Sequence, residues 1–412
     1  MTPPLNILVV TPLPPSVTGG IEEYAYSVVG ALRERGDRVR VLTSHYGDIP
    51  SRENRAPDVT YLAAKELWGR PVCFRIAAYL RIISLVRRSD VVHVHMPFPF
   101  VETVAAGLAK VMGKPLLVTY HMDAVVDSGR TGPKPMHYIA EGLYRAVSAV
   151  PTVKLSERVC TNTKAYALQS RVLRRRMAKV QVVHQGIDAR KVADLAPEKA
   201  ARMRRELLGD TYTEIVCFVG RLVPYKGLDV LLRAARGLDR RKTLFVIGGR
   251  GPEEPHLRRT IAELGLTNVR LIGFVPDADL MNLLAAADVV VSPSISMLES
   301  TPITLLYARA AGTPVVASDV GGTEESIPND GASGIIVPTG DAGALGRAIR
   351  TFLDSGPVHR PDVAPRFWSN VAEDYARVLR QLHAGSPGMP IALSEPRPIA
   401  VGGPSDSVGG KG

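Results

Sequence analysis

Cysteine is scarce in this sequence, with three residues, Cys73, Cys160 and Cys217, among 412. They stand far apart, so no pair has the spacing of a zinc site or of a redox motif, and an odd number does not suit a disulfide framework. This usage is typical of buried thiols in a reducing compartment. It excludes a disulfide-stapled scaffold and a cysteine-ligated zinc domain.

Long apolar runs are also absent. No segment approaches the roughly 20 apolar residues that a membrane-spanning helix needs. The first residues, MTPPLNILVV, lack the basic start and the long apolar stretch of a signal peptide. We therefore expect residues 6–10 to form a buried first strand, and we expect the protein to be cytoplasmic.

Acidic residues are fewer than basic ones, which gives a net charge of +11 and favours an anionic partner. Nucleic acid is not expected, because no zinc-finger spacing or RNA-recognition motif accompanies the charge. One dense basic cluster contains Arg171, Arg174, Arg175, Arg176 and Lys179. A solvated helix face explains this cluster most simply, and attraction to anionic lipid or to a phosphorylated substrate is the functional alternative.

Short β-rich segments alternate with amphipathic stretches along most of the chain, a pattern typical of parallel sheets covered by helices. The pattern begins at residues 6–10 and restarts at residues 214–218. We therefore predict an α/β protein with two successive doubly wound domains that face a cleft, and a boundary near residues 186–200. A last amphipathic helix is predicted at 366–382, and the Gly-, Pro- and Ser-rich residues 384–412 predict a disordered tail.

The loop 220–227 follows a predicted strand and opens a predicted helix. Open α/β sheets bind ligands at the carboxyl ends of their strands, and helix N-termini attract anions. Arg221 and Lys226 add two cations to this loop. The loop therefore suits a phosphate or diphosphate group, although a strand-end arginine and lysine are often plain surface charges.

The segment LESTP, residues 298–302, precedes a further predicted helix. Thr301 is predicted as its N-cap and Pro302 as its first residue, so that the helix start points its amides into the cleft. Glu299 beside an anion-binding helix start is electrostatically unusual unless the carboxylate binds hydroxyl groups, such as those of a sugar. The alternative is a capping acid.

Three histidines follow or lie within predicted strands of the first half. His121 follows the predicted strand 116–120, where a cleft residue is expected; the alternative is a polar residue bonded to neighbouring backbone. His93 and His95 alternate on one strand face and suggest a metal. No third ligand is evident, so we interpret these two as structural.

Six segments in this order and spacing resemble the retaining glycosyltransferases of family 4 over about residues 5–382. They are GGIEEY (19–24), DVVHVH (90–95), TYHMD (119–123), GRLVPYKG (220–227), GFVPDADL (273–280) and LESTPITLLYARAAGTPVVASDVGG (298–322). The resemblance implies the GT-B fold, two Rossmann-like domains facing a central cleft. It implies an acceptor-side domain, residues 1–190, completed by the helix 366–382, and a sugar-nucleotide-binding domain, residues 191–365.

The resemblance also implies an activity. The family moves a sugar from a nucleotide-diphosphate sugar, UDP- or GDP-linked, to an acceptor hydroxyl with retention, as a hexosyltransferase of glycoconjugate, polysaccharide or natural-product biosynthesis. It implies no cofactor and no tightly bound metal. The alternative is a catalytically weak or silent sugar-nucleotide-binding subunit that assists a partner enzyme. A dinucleotide-dependent oxidoreductase is disfavoured, because Glu254 stands where the third glycine of its fingerprint is required.

The acceptor is not readable from the residues. A lipid-linked acceptor or an anionic membrane would place the protein peripherally at the inner face of the membrane. Residues 75–88 combine apolar side chains with four arginines and suit a membrane-surface helix, although such a helix more often packs on its sheet.

Roles for individual residues follow from the resemblance alone. Arg221 and Lys226 match the pair that binds the donor diphosphate, Glu299 matches the acid that contacts sugar hydroxyls, and His121 matches the cleft histidine against the donor sugar. These four are the predicted catalytic residues. The remaining predicted donor contacts are Gly19 and Gly20 in the first-domain loop, Thr301, Ile303 and Thr304 at the helix start, and Phe274 and Val275 at the nucleotide base.

Tyr307 is the main departure from the family pattern. It stands where the family usually has a second glutamate that accepts hydrogen bonds from both ribose hydroxyls. A phenol does not offer two acceptor oxygens, and losing such a contact costs roughly 1–3 kcal/mol. We therefore predict Tyr307 at the ribose end of the site, with the donor nucleotide left open. Gln185 replaces the family's usual asparagine before Gly186, and Arg250 replaces an acid often found after the second strand of the second domain.

Overall fold

The computed structural model of the protein describes residues 3–14, 20–46, 58–67, 70–73, 76–123, 135–299, 301–356 and 365–385. Gly19 and residues 386–412 lie outside these ranges, so the predicted role of Gly19 and most of the predicted tail fall outside the described residues. Within these ranges, no helix is both long and apolar enough to span a bilayer.

The first half of the described chain forms an eight-stranded sheet in the order β4-β3-β2-β1-β5-β6-β7-β8. All neighbouring strands are parallel except β3 and β4, which are antiparallel. The strands are β1 Asn6–Val10, β2 Arg38–Tyr46, β3 Val59–Leu67, β4 Arg70–Val72, β5 Val91–Met96, β6 Leu116–Tyr120, β7 Arg158–Thr161 and β8 Val180–Val182.

The second half forms a six-stranded parallel sheet in the order β11-β10-β9-β12-β13-β14. The central strands of both sheets are short apolar runs buried on both faces, as parallel strands between helical layers require, whereas the edge strand β11 is only partly buried. The strands are β9 Glu214–Val219, β10 Thr243–Gly248, β11 Val269–Gly273, β12 Val289–Ser292, β13 Val315–Ser318 and β14 Gly334–Val337.

Helices cover both faces of the first sheet. Strand side chains alternate between the faces, so Leu8 and Val10 pack with one helical layer while Ile7 and Val9 pack with the other. The layer against Leu8 contains α2, α3 and α5, and the layer against Ile7 contains α1. The helices are α1 Gly20–Glu34, α2 Ile76–Arg87, α3 Val101–Val111, α4 Pro135–Tyr144, α5 Val150–Leu155 and α6 Lys164–Gln169, and a π-helical turn, Arg145–Ala149, joins α4 to α5.

The second sheet is covered in the same way, with α9 and α13 on one face and α11 and α12 on the other. The final helix, α14, returns to the first sheet and packs beside α1 through Trp368, Val371, Tyr375 and Leu379. The helices are α7 Ala189–Ala193, α8 Pro197–Leu208, α9 Leu228–Arg236, α10 Glu254–Glu263, α11 Asp277–Ala286, α12 Ile303–Ala310, α13 Ala342–Asp354 and α14 Trp368–His383.

The two connections between the sheets run side by side. The Ile187 amide donates to the Arg366 carbonyl at 2.9 Å, and the Trp368 amide donates to the Ile187 carbonyl at 3.2 Å. Gly186 permits this approach, because a Cβ at this position would lie 2.8 Å from the Phe367 carbonyl carbon. The outgoing and the returning chain therefore form one hydrogen-bonded crossing.

Several predicted element bounds require correction. The helix after LESTP begins at Ile303, and Pro302 occupies its N-cap position with φ −75° and ψ 90° and no capping side chain. The predicted N-cap, Thr301, was wrong, because the proline keeps an extended ψ and delays the helix by one residue. The last helix begins at Trp368, two residues later than predicted. Strands β3, β4 and β7 and helices α4 to α8 were not predicted, since they are short or weakly periodic.

The prediction of two parallel-sheet α/β domains is confirmed, while the bounds 1–190 and 191–365 stay predictions.

The crossing gives a first testable expectation. Gly186→Ala should lower the free energy of unfolding by about 1–3 kcal/mol, because the added methyl group forces the two connections apart. Gly107→Ala in α3 is the matched control: nothing lies within 4 Å of its Cβ position, so helix propensity should raise stability by up to about 1 kcal/mol. Urea unfolding of both variants measures the difference. If both substitutions changed the free energy of unfolding equally, the two connections could be moved apart without loss of stability.

Candidate active site

The loops after β9 and β10 pack backbone against backbone at the carboxyl edge of the second sheet. A Cβ at Gly249, where φ is +133°, would lie 1.8 Å from the Gly220 carbonyl oxygen, and one at Gly251 would lie 2.2 Å from the Leu222 carbonyl oxygen. The Leu222 amide donates to the Arg250 carbonyl at 2.9 Å. Glycines therefore allow the contact that holds the loop 220–227 in place.

Lys226 and Glu299 meet in an ion pair beneath this edge. Lys226 closes a 3-10 turn, Pro224–Lys226, and Gly227 follows with φ +66°, where a Cβ would lie 2.0 Å from the Pro293 carbonyl oxygen. This approach brings the loop after β12 alongside, and it carries Glu299 to the lysine. Glu299 is 8% exposed, and its carboxylate also accepts a hydrogen bond from Ser294 Oγ at 3.3 Å. The two predicted residues are thus brought together, and they neutralise each other.

Arg221 lies on the same loop but points to solvent. Its side chain is exposed, and it forms no ion pair with any of the residues that the structure describes. The loop therefore presents one exposed cation and one cation paired with a carboxylate. Such a pair of cations can receive the oxygens of a diphosphate, provided that Lys226 exchanges its carboxylate partner for them.

The start of α12 lies at the interface between the two halves. Ile303 packs both against the cluster of α1 and α14 and against the core of the second sheet. Thr304 Oγ1 donates to the Val219 carbonyl at 3.0 Å and ties the helix start to the end of β9. Gly20, the first residue of α1, is exposed. The first amides of an α-helix lack intrahelical partners, so the start of α12 favours an anion.

His121 follows β6 in the first half of the chain, whereas the cations belong to the second half. It is 6% exposed, and its Nε2 lies 2.9 Å from His95 Nδ1. Its ring lies nearly in the plane of His95, with 5.2 Å between centroids and 20° between the planes, and meets the Tyr24 ring edge to face at 5.0 Å. Burial lowers the pKa of His121 to about 3. The imidazole is therefore neutral at physiological pH and can donate or accept a hydrogen bond without carrying charge.

A row of buried polar side chains continues from this histidine pair to the last helix. His93 Nε2 lies 2.7 Å from Thr119 Oγ1, which lies 2.8 Å from the Tyr375 hydroxyl, which lies 3.0 Å from the Tyr24 hydroxyl. The interpretation of His93 and His95 as structural overlooked the contact with His121. Their alternation on β5 was a visible signal of a shared face, but the partner on α14 lies more than 250 positions away in the sequence.

Tyr307 belongs to a cluster at the connection between the sheets. Its side chain is buried, and its hydroxyl accepts a hydrogen bond from the Asp188 amide at 3.0 Å. Burial raises the pKa of this phenol to about 12. Lys191 lies 5.8 Å from the ring centroid and pairs with Glu23 of α1 and Asp277 of α11. The predicted ribose contact of Tyr307 stays a prediction, and sequence reasoning missed the lysine.

At the predicted base-binding loop, Phe274 is 60% exposed, and the Arg250 guanidinium lies 6.0 Å from its ring centroid. Val275 is partly buried against the core of the second sheet. The structure therefore offers an aromatic face and a cation at the ends of β10 and β11.

No three His, Cys, Asp or Glu side chains converge as a metal site within the described ranges, and the predicted absence of a resident metal stays a prediction.

Solved structures share this architecture. A structure of Anabaena Alr3699/HepE in complex with UDP and glucose superposes with a TM-score of 0.70 at 19% identity, covering 92% of this chain and 100% of that one. Sucrose-phosphate synthase from Thermosynechococcus elongatus gives a TM-score of 0.71 at 19% identity, covering 93% and 100%. The chain has the GT-B fold of these proteins.

Sequence comparisons identify the family. The models for Glycosyltransferase Family 4 and for Glycosyl transferases group 1 match residues 18–191 and 200–363. A D-inositol 3-phosphate glycosyltransferase of Acidothermus cellulolyticus is 31% identical over 396 residues, covering 88% of this chain and 85% of the relative. D-rhamnosyltransferase WbpZ of Pseudomonas aeruginosa is 29% identical over 332 residues, covering 81% and 82%. The chain belongs to the group 1 glycosyltransferases of family 4.

The buried histidines predict acid sensitivity. Burial lowers the pKa of His93 and of His121 to about 3, so the folded protein does not take up the protons that the unfolded chain binds below pH 6.5. Stability should be full above pH 6.5 and should fall as the pH decreases toward 3, by up to about 1.4 kcal/mol per pH unit for each histidine.

Urea unfolding between pH 8 and pH 5 measures this slope. His93→Gln, which keeps a nitrogen for Thr119, should reduce the slope by about one histidine's share. Val111→Gln, at an 84% exposed position of α3, adds no titratable group and is the control that should leave the slope unchanged. An identical slope in wild type and His93→Gln would mean that His93 is protonated in the folded state.

Proposed function

We propose that the protein is a retaining hexosyltransferase that moves a sugar from a UDP- or GDP-sugar to an acceptor hydroxyl, in glycoconjugate, polysaccharide or natural-product biosynthesis. The observation that carries the proposal is the ion pair of Lys226 with Glu299 on the loop that also carries Arg221, after the strand end to which Thr304 of α12 is hydrogen-bonded. UDP and glucose in the Anabaena structure support a nucleotide-sugar donor, and the names of the relatives support sugar transfer.

The reaction requires stabilisation of the negative charge that develops on the leaving diphosphate. Arg221 is free to contact the phosphate oxygens, and Lys226 joins it by exchanging Glu299 for them. The released carboxylate then accepts hydrogen bonds from sugar hydroxyls. The start of α12 adds the positive end of its dipole. Because these groups supply the compensating charge, we propose that the donor binds without a resident metal.

Retention needs no nucleophile from the protein in this proposal. The acceptor hydroxyl attacks the anomeric carbon on the face from which the diphosphate departs, and a donor phosphate oxygen takes the hydroxyl proton. The bond from the anomeric carbon to the phosphate oxygen breaks as the bond to the acceptor oxygen forms. The neutral imidazole of His121 contributes a hydrogen bond and orientation rather than proton uptake.

Loss of either cation should therefore impair transfer. Arg221→Met and Lys226→Met should each lower kcat/KM for the donor by about 100-fold or more, because each removes positive charge from the leaving group. Arg236→Met, at the exposed end of α9, is the matched control and should retain activity. The measurement is product formation from a panel of UDP- and GDP-sugars, with the donor-induced rise in Tm as the binding assay.

Three outcomes would count against parts of this proposal. A donor that raises the Tm of the wild type without transfer or hydrolysis would favour a silent nucleotide-binding subunit. An inverted anomeric centre, read by NMR of the product, would contradict retention. Loss of activity on chelation, restored by a divalent cation, would contradict metal-free donor binding.

We further propose that the protein associates peripherally with an anionic membrane and draws a lipid-linked acceptor from it. From the sequence, residues 75–88 were the candidate membrane-surface helix, but α2 buries Ile82 and Val86 in the core. Helix α4 suits the role better, because none of its residues is buried. Its exposed apolar side chains are Met136, Tyr138, Ile139 and Leu143.

Basic residues flank this helix. Arg171 and Arg145 both pair with Glu141 of α4, at 2.9 Å and 3.8 Å, and Arg174 and Arg175 lie exposed in the same turn as Arg171. An apolar helix face rimmed with arginine is complementary to anionic lipid. This face is in the half of the chain that the family resemblance assigns to the acceptor.

A vesicle assay tests the association. Ile139→Glu should weaken binding to phosphatidylglycerol vesicles by about tenfold or more, because the substitution places a charge in the apolar contact. Ile139 is 71% exposed, so the fold should tolerate the change. Val111→Glu, at an 84% exposed apolar position of α3, is the control. Equal binding by both variants would contradict a role for α4.

A further inference from the structure

We infer that His95 is a positioning residue that fixes the tautomer of His121, so that the cleft imidazole presents an Nδ1–H donor to the sugar site. The contact that carries this inference joins His95 Nδ1 to His121 Nε2 at 2.9 Å. Its meaning for catalysis rests on the proposed sugar transfer, whereas the tautomer itself is a property of the folded protein.

One hydrogen lies between the two facing nitrogens, because burial keeps both imidazoles neutral. Either His95 donates from Nδ1 or His121 donates from Nε2. The choice also decides which nitrogen of each ring carries no hydrogen, since a neutral imidazole has one N–H and one lone pair. Settling the direction of this bond therefore settles what His121 offers to the cleft.

The far nitrogen of His95 decides between the two arrangements. His95 Nε2 is buried and has no hydrogen-bond partner among the described residues. If His121 donated, the hydrogen of His95 would reside on this Nε2 as a buried, unpaired N–H, a rare arrangement in proteins. Donation from His95 Nδ1 leaves only an unpaired lone pair there. His121 Nε2 is then the acceptor, and the hydrogen of His121 resides on Nδ1.

Nδ1 is the nitrogen of His121 that remains for a ligand. It has no hydrogen-bond partner among the described residues, and unlike His95 Nε2 it is not a fully buried atom. A donor at this position suits the oxygens of a bound sugar or its leaving group, and a lone pair would not stabilise developing negative charge. The proposed chemistry requires a hydrogen on His121 Nδ1, and the burial of His95 Nε2 also places it there. Both arguments therefore select the same tautomer.

The ring of His95 contacts two other histidine rings. Its ring lies between His121 and His93, with 4.4 Å between the centroids of His93 and His95. His93 in turn stacks on Tyr375 of α14 at 5.1 Å and is hydrogen-bonded to Thr119. The last helix therefore supports His93, and through it the ring of His95, from the side away from His121.

Two-dimensional NMR of 15N-labelled histidine in the full chain tests the tautomer directly. In the wild type, His121 should show a protonated Nδ1 and an unprotonated Nε2. His95→Leu should abolish this preference, and His95→Asn, whose amide can donate from the position of Nδ1, should retain it. His45→Leu, on β2 and thus two strands away from β5, is the control that should leave the His121 signals unchanged.

Kinetics test the consequence. His95→Leu should lower kcat by about 10- to 100-fold, the effect of losing one aligned donor, while KM for the donor stays within about twofold. His95→Asn should restore most of kcat. A wild-type spectrum with His121 protonated at Nε2, or an unchanged His121 tautomer in His95→Leu, overturns the inference. A wild type without transferase activity would instead contradict the proposed function, because the tautomer is read without turnover.

Discussion

The hydrogen-bonded crossing between the two connections is the constraint on which the arrangement of the site depends. The chain leaves the first sheet through Gly186 and Ile187 and returns beside them through Phe367. Both crossings occupy one narrow strip, and the halves also meet where the Thr163 hydroxyl donates to the Gly321 carbonyl at 2.9 Å and where Lys191 joins Glu23 to Asp277. The return path then delivers α14 to the face of the first sheet that carries His93, Thr119 and the approach to His121. Helix α14, at the end of the described chain, therefore helps to support His93, which lies in the first half of the sequence.

The two halves make different electrostatic contributions to the cleft. The first supplies imidazoles that burial keeps neutral, together with the hydroxyls of Tyr24 and Tyr375. The second supplies the cations Arg221 and Lys226 and the start of α12. Lys226 is compensated by Glu299 without a ligand, so the site avoids an unpaired charge in a mostly buried position. The described cations of the site therefore belong to the second half, and the first half contributes imidazoles that burial keeps neutral.

The periodic features of the fold could be predicted from the sequence. Contacts between residues that lie far apart in the sequence could not. The alternation of strands and helices made both parallel sheets predictable. Glu299 stood out because a carboxylate beside an anion-binding helix start is electrostatically unusual, whereas Arg221 and Lys226 gained their roles from the resemblance to the family. The pairing of Lys226 with Glu299 was not predictable, since 73 positions separate them. The same limit hid the row from His93 to Tyr375. Pro302 misled the prediction of the helix start because proline is compatible with both the first helical position and the residue before it.

Tyr307 stands where the family usually has a glutamate, and its surroundings differ accordingly. A glutamate at this position would need hydrogen-bond donors for two oxygens, whereas the phenol satisfies its single hydroxyl with the Asp188 amide and buries its ring in the core. Lys191 then packs over the ring and links Glu23 of the first half to Asp277 of the second. Helix α12, with the sequence ITLLYARA, contains no carboxylate at all. The region around Tyr307 is thus a contact between the two halves of the chain, whereas the ring of Phe274 and the guanidinium of Arg250 are exposed at the predicted base-binding loop.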